Sequence, residues 1–131
     1  MTSMAATAWQ ALRGVDDGRT ICRRVRRAGS FGGRLRGLMG RTILAGDEGL
    51  YLPGTNGVHM LFMRFAIDCL FVGAPRTDGA RPVVALKPNL APWTGIVWWV
   101  RGARGAIEVP AGALASSGLR VGDYVTLAPA D

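Results

Sequence analysis

Glycine and proline recur so often along this chain that no element can run far before a turn interrupts it. The 131 residues include 19 Gly and 7 Pro. What lies between them are apolar runs of strand length, about five or six residues each. Arg19 to Arg27 alternates, with Ile21 and Val25 on one side and Cys22 on the other, and reads as a charged edge strand. Gly49 to Pro53 is a brief strand, followed by the turn Gly54-Thr55-Asn56-Gly57. Val58 to Phe65 and Ile67 to Val72 are extended pieces separated near Ala66. Pro82 to Lys87, Ile96 to Val100, Ala106 to Val109 and Tyr124 to Leu127 complete the strands.

Helical signals are few. Ser30 has the character of an N-cap, with Leu35, Leu38 and Met39 at helical spacing behind it. Ala111 to Ser117 is long enough for one or two turns. Short strands outnumber helices, so the expected fold is mainly β, a small β-barrel or sandwich with one or two short helices. An apolar fraction of 49% against 19% charged residues is globular composition and supports one core. Residues 1–18 read as a loosely ordered lead-in and 19–131 as the single domain.

The charge is local. Of the formal +7, all sits between Arg13 and Arg41, where nine arginines face Asp16 and Asp17, while basic and acidic groups cancel from Thr42 onward. Such a segment attracts phosphate or other anionic surfaces by counterion release. A strand edge kept soluble by charge has the same composition. Arg23, Arg24, Arg26 and Arg27 are the residues that would touch a nucleic acid, with Trp93, Trp98 or Trp99 as stacking surfaces.

The longest apolar stretch, Val58 to Val72, contains His59, Arg64 and Asp68 and is too short and too charged to cross a bilayer as a helix. Met1 to Gln10 has neither a basic start nor a long apolar run, so no secretory signal is expected. Cys22 and Cys69 form no metal-binding or redox spacing, although a disulfide between them is not excluded by spacing. A reduced, cytoplasmic protein is the expectation.

Chemistry concentrates around the chain's one histidine. His59, Met63, Arg64 and Asp68 lie within ten positions of one another, and Glu108 interrupts an otherwise apolar strand. Two charges inside so apolar a run must be satisfied, so Arg64 and Asp68 are expected to pair, and Glu108 to pair with Arg64, Arg101 or Arg104. The same five residues, His59, Met63, Arg64, Asp68 and Glu108, would line a shallow ligand pocket if they converged. The ligand set falls short of a structural zinc site, no serine sits in a nucleophile-elbow sequence, and no cofactor is implied.

Four separated blocks resemble a family of uncharacterised bacterial and archaeal proteins, domain of unknown function 192. They are Arg34-Leu35-Arg36-Gly37-Leu38-Met39-Gly40-Arg41; His59 with Phe62-Met63-Arg64-Phe65 and Ile67-Asp68; Glu108-Val109-Pro110-Ala111-Gly112; and Gly118 to Asp123. The resemblance runs from about Val25 to Leu127 and implies a compact, barrel-like, mainly-β fold with short helices and no established enzyme activity. Many relatives carry export signals or lipoprotein anchors, which are not expected here. Ala66 stands where the family often has Pro, Met60 where it often has a small polar residue, and the Gly73 to Arg81 loop is longer than usual.

Three functions follow. The first is a small binding or scaffold domain with no assignable reaction, its pocket around His59, Met63, Asp68 and Glu108. The second is a nucleic-acid-associated protein using residues 13–41, binding weakly and electrostatically. The third is a small hydrolase or lyase with His59 and Asp68 as an acid/base pair. Convergence of His59, Asp68 and Glu108 would favour the first or third, and a basic face with an exposed Trp the second.

Overall fold

The computed structural model describes residues 9–27, 48–59, 65–91, 95–97 and 99–130, with the backbone alone at 58 and 59. In chain order its strands are β1 (Gln10–Gly14), β2 (Thr20–Arg27), β3 (Glu48–Pro53), β4 (Val58–His59), β5 (Ile67–Val72), β6 (Arg81–Leu90), β7 (Ile96–Val97), β8 (Gly105–Pro110) and β9 (Tyr124–Pro129). One short helix, α1 (Ala113–Ser117), lies between β8 and β9. The N-cap helix expected after Ser30 falls outside the described residues.

Seven strands close a barrel in the order β1-β2-β3-β8-β5-β6-β9, and β4 and β7 form a separate two-stranded sheet. Closure comes from β1, which pairs with β2 on one side and with β9 on the other, from Gln10 opposite Pro129 to Gly14 opposite Val125. Residues 10–14, read from sequence as part of a loose lead-in, are therefore a stave of the barrel. Their five positions carry too little pattern to be seen locally; the partners on both sides define the strand. All the barrel pairs are antiparallel except β2 with β3.

Alternation along the strands sorts the apolar side chains into two cores. Leu12, Val25, Leu70, Val72, Val83, Ile107, Val109 and Val125 pack together and come from six of the seven staves, so this cluster fills the barrel. Leu50, Leu52, Ile67, Cys69, Phe71 and Ala106 point the other way. They form a second cluster on the outer face of β3, β8 and β5, partly covered by Phe65, Val97, Val100 and Ala103. Buried on both faces, β5 has no exposed position, which is why Ile67 to Val72 reads as a nearly continuous apolar run.

Strand β2 departs from the simple alternation. Cys22 and Val25 both face the barrel interior although three residues apart, while Ile21 only flanks that core. The register against β1 runs from Gln10↔Val25 to Leu12↔Cys22, so β2 carries an extra residue there. A β-bulge of this kind flips the side-chain phase. Cys22 thus lies in the inner core and Cys69 in the outer one, both as reduced thiols. A sheet separates them, and no disulfide joins them.

One end of the barrel is tied by Arg81. Its Nε donates to the Gly73 carbonyl at 2.9 Å, Nη2 to the Arg104 carbonyl at 3.2 Å, and Nη1 to the Tyr51 hydroxyl. The turn after β1 and the start of β9 enclose a cavity of about 160 Å³ lined by Asp16, Asp17, Arg19, Ser117, Arg120 and Tyr124 among others.

Candidate functional site

Asp68 is the second residue of β5, with 1% of its surface exposed, and faces the inner core. A buried carboxylate must be met by donors, and this one is met by backbone. Its Oδ1 accepts from the Asn89 N–H at 2.7 Å, and its Oδ2 from the N–H groups of Gly112 at 3.0 Å and Leu114 at 2.9 Å. Asn89 holds a left-handed conformation, φ 55°, that turns its amide toward β5. The first amides of α1 have no partners within the helix, and Asp68 supplies the acceptor. This carboxylate is a structural staple between β5, β6 and the β8–α1 corner. The partner expected from sequence, Arg64, lies outside the described residues.

Glu108 is the opposite case. Its register partners are Leu50 on β3 and Cys69 on β5, so its side chain faces the outer core among Leu50, Cys69 and Ala106. Only 7% of it is exposed. Among the described residues it has no hydrogen-bonding or ion-pairing partner; Arg101 and Arg104, expected as partners, are exposed instead. Burial with no compensating charge disfavours the carboxylate, and its pKa is pushed up to about 7. Burial also raises the neighbouring Cys69 thiol, with the Glu108 charge adding to the effect.

Asp68 and Glu108 thus lie on adjacent strands but opposite faces of the sheet, and the structure does not bring them together. Residue 68 is opposite Val109, and residue 69 is opposite Glu108. His59 belongs to β4, whose partner Ile96 precedes Val97, a residue packed on the outer core. The strand bearing His59 is therefore associated with the face bearing Glu108. Met63, like Arg64, lies outside the described residues.

The row of side chains that includes Glu108 continues across the barrel. Arg26 on β2 is opposite Leu50, Leu50 opposite Glu108, Glu108 opposite Cys69, and Cys69 opposite Lys87 on β6. Residues in register share a face, so all five side chains project outward. Arg26 is half-buried, and its Nε is sealed from solvent with no hydrogen-bond partner. Reading β2 as a uniform charged edge hides this: Arg23, Arg24 and Arg27 are exposed, and Arg26 is not. Arg24 stacks over the Trp9 ring at 4.3 Å.

The 160 Å³ cavity beside the turn after β1 is far less demanding chemically. Arg19 lies 3.9 Å from Asp17 and donates to the Ser116 carbonyl, and Asp123 accepts from the Arg120 N–H at 2.9 Å. Several of its polar groups are thus already engaged. No group of three or more His, Cys, Asp or Glu able to hold a metal occurs among the described residues.

A closed seven-stranded barrel with a buried acid on an outer, partly covered face defines a small β-barrel domain with no recognisable catalytic set among its described residues. The chain belongs to the DUF192 family, described as uncharacterized ACR, whose model matches residues 11–127. It is similar in structure to a Sinorhizobium meliloti 1021 protein proposed, by its name, as a transcription regulator. That likeness has a TM-score of 0.75 at 25% identity and covers 92% of this chain and 94% of the other. A Novosphingobium aromaticivorans DSM 12444 protein of unknown function shares the fold with a TM-score of 0.69 at 22% identity, covering 89% of this chain and 82% of the other. No curated protein matches the sequence. No helix among the described residues is long and apolar enough to cross a membrane.

Proposed function

We propose that this protein is a small, non-catalytic, cytoplasmic binding domain whose ligand rests on the outer face of the barrel around Glu108, under the sheet that carries His59. One observation carries the reading: an acid 7% exposed, set among Leu50, Cys69 and Ala106, with no partner among the described residues. Leaving such a group unmet costs a few kcal/mol, a cost that folds tolerate mainly where a site needs it. The acid/base alternative gains no support, because both Asp68 oxygens are held by backbone amides in the inner core. The test is a small-molecule survey by thermal shift on wild type and Glu108→Gln. Compounds that raise the wild-type Tm and leave the variant unmoved are expected. Hits that stabilise both proteins equally would place binding elsewhere.

A second reading has its own support. Three exposed arginines on β2, one stacked on Trp9, and a structural relative proposed as a transcription regulator favour nucleic-acid contact. Trp99, 63% exposed, is a ready stacking surface; Trp93 and Trp98 lie outside the described residues. Fluorescence anisotropy with a labelled single strand and a duplex, across a salt series, separates the two. Weak binding lost by physiological salt is expected, and it would assign the arginines to a solvated outer surface of the barrel, since β2 is paired on both sides and is not the edge strand expected from sequence. Tight binding at physiological salt that vanishes when Arg23, Arg24, Arg26 and Arg27 are all replaced by Ala would put this reading first.

A further inference from the structure

Among the described residues, two side chains of opposite formal charge on the outer face lack polar partners. Glu108 offers an acceptor with no donor among the described residues, and Arg26 offers a sealed Nε–H with no acceptor. They belong to one cross-strand row and flank a single residue, Leu50, which is 3% exposed. Their backbones stand two strand spacings apart, about 10 Å. Leu50 supplies an apolar floor between them.

A purely cationic ligand would satisfy Glu108 and leave the Arg26 Nε–H unmet. A purely anionic ligand would do the reverse and meet repulsion from the carboxylate. A molecule that carries both charges satisfies both groups, and an apolar substituent then lies on Leu50 and its neighbours. Resting on the binding reading above, we infer that this face takes a small zwitterion with an apolar side group, such as a free apolar α-amino acid, its ammonium on Glu108 and its carboxylate on Arg26. Charge-assisted hydrogen bonds at both ends fix the orientation of such a ligand, and the apolar floor supplies the remaining contact.

The experiment uses the full chain, ¹⁵N-labelled, titrated with L-phenylalanine and L-leucine, with their methyl esters, which keep only the cation, and with their N-acetyl forms, which keep only the anion. The free amino acids are expected to shift the amides of β3 and β8 and to bind at least tenfold more tightly than either masked form. Glu108→Gln and Arg26→Met should each weaken the free amino acid at least tenfold. Arg26→Lys, which keeps the charge, should recover part of the loss, and thermal unfolding verifies that each variant is folded. Equal affinity for all three forms, or a folded Arg26→Met that binds as wild type does, overturns the assignment. If uncharged apolar molecules shift the same amides with no preference for charge, the zwitterion fails and the binding face stands. If nothing shifts those amides at millimolar concentration, both fail. Glu108 titrating in the ordinary carboxylate range without ligand would show that the chain satisfies it internally, and that too overturns the inference.

Discussion

Two acids, adjacent in the sheet and nearly equally buried, meet opposite fates because of what surrounds them. Asp68 receives three backbone N–H bonds and so stays in the interior as an acceptor. Asp68→Asn keeps the shape but turns one acceptor into a donor facing an amide. It is expected to cost about 1–3 kcal/mol in urea unfolding, and an unchanged midpoint would remove the staple from this account. Glu108 has burial without donors among the described residues. Arg26 from β2, Glu48 from β3, Cys69 from β5 and Lys87 from β6 share its face. Its pKa rises from an ordinary 4.5 to about 7, so between those values the folded protein holds a proton that the unfolded chain has released. Stability therefore falls as pH rises through that window, and the loss persists above it. The span corresponds to about 3 kcal/mol. Glu108→Gln cannot titrate, so it should match wild type at pH 4 and exceed it at pH 8. A wild-type-minus-variant difference independent of pH would contradict this.

At the scale of elements, the segment from β8 to β9 shows how a corner is made from glycine. Gly112 (φ 96°) precedes α1, and Gly122 (φ 100°) precedes β9. Neither would meet an obstacle to a Cβ in space, so the restriction is the backbone angle itself. Gly112→Val and Gly122→Val are each expected to destabilise by about 1–3 kcal/mol, seen as a lowered Tm, and an unchanged Tm in both would refute the strain. These corners were legible in sequence because a strand, a Pro-Ala-Gly and a Gly-Asp pair sit close together. The bulge in β2 was not, since nothing in Thr20 to Arg27 distinguishes the inserted residue. Only pairing with β1 reveals that Cys22 and Val25 share a side. Arg26 turns outward beside Leu50 and is half-buried, while Arg23, Arg24 and Arg27 stay in solvent.

At the scale of the whole molecule, the described residues form a barrel with a core inside and a second core on one outer flank, and each core holds one thiol. Strands β3, β5 and β8 contribute to both, so the two cores should unfold together. Cys22 and Cys69 are expected to resist a thiol reagent in the native protein and to become reactive at one urea midpoint, the same as that seen by circular dichroism. Exposure of Cys69 at lower urea than Cys22 would show that the outer flank is a separate unit.

The sequence by itself determined the class of fold, the turn chemistry of the C-terminal corner, the N-terminal location of the charge and the family to which the chain belongs. All of these depend on residues close together in the chain, or on the order of short blocks along it. Tertiary structure alone decided that residues 10–14 close the barrel, that Asp68 faces inward while Glu108 faces outward, and that Arg26 stands one residue from Glu108 across Leu50. Alternation tells which neighbours in one strand share a face. Which strands become partners, and in what register, is fixed by contacts between residues 24 to 119 positions apart, and a one-residue change in register reverses every face.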